Sequence, residues 1–378
     1  MSIIEILNSI DRFNKHQFDV PVNEQLNYLN SIGEPKNDID RSYKQFLCQQ
    51  YFSPMWLRSI WFVASIFLLP IVIFIYLGKG IKIKPVKKID TLAGDKGMNE
   101  VIPTALSYKY KIEHKEWKAG KGLSTTDVLY IITKVFGFRS PYFVLKSIMQ
   151  IAAFSARITK YDPDRLISYM EFSFCSSLIT DYCHYRGVKH INVMHGEKLL
   201  FIRDSFFHFD ECYVWDMHYA NMFIKLKAEP TQFRVAVPPS LKIDIEANKD
   251  LEVYSDYKYY LAADSEEEIK SIVASMEFVR REGKSIKYRV HPRYTDVKIL
   301  RKYVSENEIE YPNNVSILAS ISNLEYAVGS YTTVMLQAYL SGKKVLLDDM
   351  TYKDRYKQLK EYGYILASKE LGTLSMKQ

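Results

Sequence analysis

From residue 165 to residue 350 short apolar runs alternate with amphipathic stretches, and this alternation restricts the fold more than any other feature of the chain. "RLISYM" (165–170) reads as a strand, and "FSFCSSLITDYCHYRG" as a helix ending at Gly187. "KHINVM" (189–194), "ECYVWD" (211–216) and "QFRVAV" (232–237) read as further strands, with a helix through about residue 227 before the last of them. Residues 125–136 and 141–159 have helical spacing. "PPSLKIDIEANKD" (238–250) interrupts the pattern, which then restarts. "YKYYLAA" is a strand, "SEEEIKSIVASMEFVRREG" a helix with Ser265 as its cap, and "SIKYRV" a strand ending in "HPR". A helix, "NVSIL", the strand "LEYAVGS", the helix "YTTVMLQAYLSG" and the strand "KKVLLDD" follow. Strands and helices of these lengths predict parallel sheets covered on both faces.

The chain has 378 residues, too many for one ordinary core. The fold expected is α/β: two Rossmann-like domains facing across a cleft, with ligands beyond the carboxyl ends of the strands. The expected divisions are an N-terminal helical region (1–54, opening on "SIIEILNSIDRF"), a hydrophobic membrane segment (55–80), and Rossmann-like domains over 81–240 and 241–378. Residues 81–122 yield no clear pattern.

"SIWFVASIFLLPIVIFIYLG" (59–78) contains no charge and reaches the length needed to cross a bilayer. It begins too late for a cleavable signal peptide. Trp56, Trp61 and Tyr76 fit interfacial anchors, and Lys79, Lys82, Lys84, Lys87 and Lys88 follow, so this end and the rest of the chain are expected on the cytoplasmic side. Two alternatives are a buried core helix and a re-entrant or in-plane helix bent at Pro70.

The net charge of +7 suits an anionic ligand or a headgroup surface, but no RNA-binding aromatic motif and no long basic run points to nucleic acid. Cys48, Cys175, Cys183 and Cys212 form no CxxC pair, so neither a disulfide framework nor a zinc site is expected. There is no Walker A loop, GxGxxG or GxSxG, which disfavours those nucleotide-binding, redox and hydrolase classes. Asp162-Pro163-Asp164 resembles a metal-binding Asp-x-Asp, but it precedes its strand and reads as a turn.

Three turns can carry chemistry. At "VGSYTTVMLQA", Gly329 to Thr333 sit where a strand becomes a helix, a favourable place for phosphate, with Ser330, Thr332 and Thr333 adding hydroxyls; ordinary helix capping is the alternative. At "YRVHPRYTD", His291 lies at a strand end, Pro292 fixes the turn and Arg293 adds a forked cation. At "VMHGEK", His195 or Glu197 could take a proton from an attacking hydroxyl, the alternative being that they serve only the turn and the solvent.

The strand-end "HPR" followed by "GSYTTVMLQAYLSGKKVLL" resembles glycosyltransferases of the GT-B fold, over residues 165 to 350. The nearest resemblance is to bacterial enzymes of capsule, O-antigen or lipooligosaccharide synthesis. Within these, the His-Pro and Ser/Thr motifs are similar to those of bacterial sialyltransferases, which use cytidine monophosphate–sialic acid. The resemblance implies that His291 and Pro292 contact the nucleotide, and that Ser330, Thr332 and Thr333 hold its phosphate. The acidic pair followed by Gly that supplies the base in that family is missing, and "HGEK" stands as its substitute. The "MHG" turn is similar to one in teichoic-acid-type polyol-phosphate transferases, which use cytidine diphosphate donors.

The expectation is a metal-independent transferase without a cofactor, with 81–240 on the acceptor side and 241–378 holding the donor. It would move a sugar, sialic acid being one candidate, from a nucleotide-activated donor to a lipid-linked glycan acceptor. It would act at the bacterial inner membrane, facing the cytoplasm. The alternatives are a polyol-phosphate transferase and a non-catalytic membrane assembly partner.

Overall fold

In the computed structural model residues 13–94, 96–115, 120–248, 254–369 and 371–377 are described. They form two six-stranded sheets in which every pairing is parallel. The chain divides into two compact units: Met1–His195 with Leu200–Pro238, and Gly196–Leu199 with Pro239–Gln378. Most of "SIIEILNSIDRF" lies outside the described residues.

The first unit contains β1 (Thr91–Ala93), β2 (Ile112–His114), β3 (Arg165–Ser168), β4 (Lys189–Val193), β5 (Glu211–Val214) and β6 (Phe233–Val235), in the spatial order β2-β1-β3-β4-β5-β6. β1 and β2 come from the stretch that yields no sequence pattern. At three residues each they are too short to show a period.

Helices α1 (Val22–Ser31) and α2 (Asp38–Tyr51) are built into this unit. Asn37 caps α2, Arg41 pairs with Glu229 at 2.6 Å, and Gln45 Nε2 donates to the carbonyls of Glu171 and Arg203. Helix α3 (Met55–Gly80) precedes the sheet. Helix α4 (Pro141–Tyr161) starts at a Ser140 cap with Pro at its first position, and Asp162 ends it in the left-handed conformation. Asp162-Pro163-Asp164 thus stops a helix, and Asp164 pairs with Lys88 at 3.1 Å.

Helix α4 is buried almost all round, as expected of a helix with protein on both sides. On one side Phe154 meets His190 of β4, ring centroids 5.6 Å apart. On the other lies α3, whose Leu69, Val72, Ile73 and Leu77 pack against the cluster containing Ile148 and Ile151. Only 11% of the apolar window of α3 is buried, so it is no core helix, and it runs unbroken through Pro70, where the sequence suggested a bend. It is long and apolar enough to cross a membrane, by length and composition.

His190 sits in the core between α4, helix α5 (Ser176–Tyr185) and the sheet. Its Nδ1 is 2.9 Å from Thr180 Oγ1, and that hydroxyl donates its own proton to the His208 carbonyl at 2.7 Å. Nδ1 therefore carries the imidazole proton, and Nε2 accepts from Ser168 Oγ at 2.8 Å. Burial pushes the imidazole down to about 3.

The second unit contains β7 (Ser255–Tyr260), β8 (Ile286–Arg289), β9 (Ile309–Glu310), β10 (Leu324–Gly329), β11 (Lys344–Leu347) and β12 (Gly372–Thr373), ordered β12-β11-β10-β7-β8-β9. Numbered from its own first strand this is the order 3-2-1-4-5-6, the doubly wound Rossmann arrangement. Helix α6 (Glu266–Ser275) follows β7, with Ser265 and Glu268 in a capping box, and helix α7 (Thr333–Leu340) follows β10. "NVSIL" leads into a helix. Ser316 within it caps the helix Ile317–Ser322, and the strand beside β8 is the two-residue Ile309–Glu310. Beneath the sheet, Glu310 is buried between Lys258 (2.6 Å) and Arg289 (2.6 Å). Burial alone would raise the carboxyl; the two cations and the Ser320 hydroxyl hold it below its usual range.

The neutral His190 couples folding to protons. Unfolded, it titrates near its ordinary value of about 6.5; folded, near 3, so between these the unfolded chain binds the extra proton. Stability is fully present above about pH 6.5 and falls by up to ~1.4 kcal/mol per pH unit toward pH 3. Denaturant titrations across this window are expected to show that slope, and His190→Gln to flatten it; an unchanged slope in the variant would contradict the assignment.

Candidate functional site

Parallel strands deliver their carboxyl ends to one edge, and a ligand crevice opens where the order of connection reverses. In the first sheet that point lies between β1 and β3. A cavity of about 290 Å³ is lined there by Gly94, Met98, Ser168, Tyr169, Met170 and Ser173. These residues lie in the loop after β1 or at and just beyond the end of β3, and none of them was a candidate site residue from the sequence.

The same edge carries the His-Gly turn after β4. Asn192, buried within β4, accepts from the Met170 backbone N–H at 2.7 Å. Its Nδ2 donates to Glu171 Oε2 at 3.1 Å. The other oxygen of Glu171 accepts from the His195 backbone N–H at 3.4 Å. One fully buried carboxylate thereby fixes both the loop after β3 and the start of the turn after β4. Gly196 follows with φ +75, and a Cβ there would meet nothing within 4 Å. The glycine is needed for its backbone angle, not for a close approach. The turn leaves His195 exposed, with its ring 5.3 Å from that of Tyr169.

His195 closes the main body of the first unit, whereas Gly196–Leu199, and so Glu197, group with the second. Glu197 is half-buried there and acts on Tyr364. The Tyr364 phenol is pushed far up, first by burial and then by the Glu197 carboxylate. Its ring meets Tyr331 edge-on at 5.1 Å. Glu197 is therefore grouped with the unit that holds the Ser330–Thr333 turn, although Ser330 lies 133 positions further along the sequence.

At the second sheet's edge the reversal lies between β7 and β10. Gly329 ends β10, and Thr332 stands at the N-cap of α7 in an extended conformation. Its side chain does not cap the helix. Thr332 Oγ1 is instead buried with no hydrogen-bond partner. Elsewhere in this unit Ser265, Asp296 and Ser316 all cap their own helices, so capping alone does not explain this threonine. Such a hydroxyl carries an uncompensated cost that a ligand oxygen would remove.

Beyond β8, the His291 N–H donates to Thr295 Oγ1 at 2.8 Å, and Thr295 in turn donates to the Ala262 carbonyl after β7. His291 Nδ1 accepts from the Arg293 N–H at 3.1 Å, within the turn that Pro292 helps to shape. The neutral ring therefore carries its proton on Nε2, which remains available as a donor. Burial, then Arg293, holds the imidazole below its ordinary value, and Tyr294 stacks on it at 4.6 Å. Arg293 is exposed.

The remaining acids at this edge have structural duties. Asp348 accepts from the Tyr259 hydroxyl and from the N–H groups of Met350 and Thr351. Asp264 accepts from the Tyr352 hydroxyl and the Ala262 N–H, and burial raises its carboxyl. Among the described residues no cluster of three His, Cys, Asp or Glu could hold a metal ion.

No protein-family model and no curated protein matches this chain. Solved structures do show likeness. The UDP-GlcNAc 2-epimerase from Neisseria meningitidis bound to UDP-GlcNAc is 11% identical, over 72% of this chain and 85% of that one, with a TM-score of 0.42. A putative UDP-N-acetylglucosamine 2-epimerase from Listeria monocytogenes is 9% identical over 71% and 82%, with a TM-score of 0.46. The wall teichoic acid polymerase TagF is 9% identical over 72% of each chain, with a TM-score of 0.39. The two strand orders, rather than these likenesses, establish the fold.

Glu171 faces two donors, one at each oxygen, and only a carboxylate accepts both. Glu171→Gln presents one amide N–H to a donor, so it is expected to destabilise the first unit by about 1–3 kcal/mol, as Glu171→Ala should. Urea titration measures this; a Gln variant as stable as the parent would mean that the carboxylate does not hold the turn.

Proposed function

We propose that this chain transfers a sugar from a nucleotide-activated donor to a hydroxyl of a lipid-linked surface glycan. The observation that carries the reading is the buried, unpartnered Thr332 hydroxyl at the head of α7, at the reversal point of a 3-2-1-4-5-6 sheet. The first-turn amides of α7 and the hydroxyls of Ser330, Thr332 and Thr333 would hold the donor phosphate, with Gly329 keeping the turn tight. His291, neutral and donating through Nε2, would contact the nucleotide, and Arg293 would offset its charge. In the first unit the cavity between β1 and β3 is the candidate acceptor pocket.

In the reaction the acceptor oxygen bonds to the anomeric carbon while the bond from that carbon to the donor phosphate breaks. Glu197 or His195 takes the acceptor proton. The charge gathering on the departing phosphate meets oriented amides and hydroxyls, which need no reorganisation as it forms. The "HPR" and "SYTT" residues make a cytidine monophosphate–sialic acid donor the first to try. The "MHG" turn makes a cytidine diphosphate–polyol donor the second.

Thermal-shift and calorimetric screening against a nucleotide panel tests the reading, because a ligand binding only the native state raises the melting temperature. Thr332→Val and His291→Ala are expected to weaken donor binding by roughly ten- to a hundredfold, the loss of a hydrogen bond to a charged group. Thr332→Val should also leave the unliganded protein as stable or more so, since it removes a buried hydroxyl that has no partner. Glu197→Gln or His195→Ala should lower kcat without altering donor affinity, and whichever does so is the base. Turnover of cytidine diphosphate–polyol alone would favour the polyol-phosphate reaction. Absence of both nucleotide binding and turnover would leave only the assembly-partner role.

A further inference from the structure

We infer that α3 is an in-plane membrane anchor, embedded along its length in one leaflet of an anionic bilayer, with both of its ends on the same side. The inference concerns only the first unit and stands whether or not the transferase reading does.

The argument begins with what α3 touches. A single stripe, Leu57, Ser65, Leu69, Val72, Ile73, Tyr76 and Leu77, recurs at three- and four-residue spacing and faces protein. Trp61 meets Tyr142 at the start of α4, with ring centroids 5.6 Å apart. At the far end the Tyr76 carbonyl accepts from the Leu123 N–H at 3.0 Å. A Cβ on Gly80 would lie 2.0 Å from the Leu123 carbonyl oxygen, so the chain can pass here only over glycine. Contact with the unit thus extends from Trp61 to Gly80, about 29 Å of helix at 1.5 Å per residue.

That length decides between the two ways of meeting a bilayer. A crossing helix needs ~30 Å surrounded by lipid or by other crossing elements. Here the neighbours are the segment at Leu123, at the far end, and α4, which carries Lys146, Arg157 and Lys160 and lies against the β4 side of a sheet. Threading α3 through a bilayer would draw this sheet, with its short strands and open edges, into hydrocarbon. Unpaired backbone groups at those edges would cost several kcal/mol each there.

The other faces of α3 are apolar and open. Phe67 is 68% exposed, Ile71 54% and Phe74 80%, and Ile60, Phe62, Val63 and Ile66 are also exposed. Charge identifies the occupant. No Asp or Glu occurs between Arg41 and Asp90, and Arg58, Lys79, Lys82, Lys84, Lys87 and Lys88 flank the apolar helix at its two ends. All six are exposed, and the equally exposed Ile81 and Val86 are interleaved with the lysines. An apolar face between basic ends, with Trp56 in the first turn, matches acyl chains beneath anionic headgroups.

The full chain is tested with sealed vesicles. Met55 and Lys82 are exposed at the two ends, while all four native cysteines are buried, so Met55→Cys and Lys82→Cys offer single reactive thiols. Bound to vesicles containing phosphatidylglycerol, both variants should react with a membrane-impermeant maleimide added outside. A triple Phe67→Asp, Ile71→Asp, Phe74→Asp variant should lose vesicle binding at least tenfold while keeping its melting temperature in detergent. Pure phosphatidylcholine vesicles should bind the parent more weakly, with salt sensitivity only in the anionic case. Labelling of the two thiols from opposite sides would overturn the inference in favour of a span. A stable dimer that needs Phe67, Ile71 and Phe74 and ignores vesicles would overturn it in favour of a second copy. Unimpaired vesicle binding by the triple variant would overturn it as well.

Discussion

Within each sheet every described strand runs parallel to its neighbours, and most of what each unit offers a ligand follows from that constraint. A parallel ladder has to be re-entered from the same end after each strand, so a crossover returns the chain and all carboxyl ends collect on one edge. The loops there are released from the ladder and can carry unsatisfied groups. Thr332 and His291 both occupy such loops, and so does the cavity between β1 and β3.

The longer, periodic elements are legible in the sequence for the same physical reason. β3, β4, β5, β7 and β8 are largely buried and long enough to read as strands, while α6 announces itself with a Ser cap. β1, β2 and β9 are two or three residues long, too short for any period to appear. "NVSIL" shows no period of its own because a helix starts in its middle, where Ser316 is the cap. Of the site, the turns at His195, His291 and Gly329 could be found because Gly and Pro punctuate the ends of predicted strands. The roles of their neighbours could not.

Glu171 and Glu310 illustrate why. Each is a buried carboxylate whose partners are remote in sequence: Glu171 meets Asn192 and His195, and Glu310 meets Lys258 and Ser320. In the sequence each is one acid in a mixed stretch, indistinguishable from a solvated one. Only the fold reveals that removing one partner would strand a buried charge, an expensive change even where the intact pair contributes little net stability. The buried Asn192 in the otherwise apolar run "KHINVM" is the one local sign, since an amide in a two-faced strand has to find partners.

Helix α4 joins the sheet to whatever lies outside α3. Its apolar residues point in all directions, so water can touch neither face, and one face is committed to the sheet. A helix placed over the other face would ordinarily end the hydrophobic core by turning polar residues outward. α3 instead turns Phe67, Ile71 and Phe74 outward, so the apolar layer continues to the surface of the unit. Exposed apolar patches on this scale are rare on soluble monomers because water penalises them at roughly 25 cal/mol per Å². The sequence keeps this one and places no acid between Arg41 and Asp90, which favours an anionic, oily neighbour over a protein partner. With α3 anchored as proposed, the lipid-linked acceptor proposed above would share a surface with the first unit, and their encounter would become a two-dimensional search.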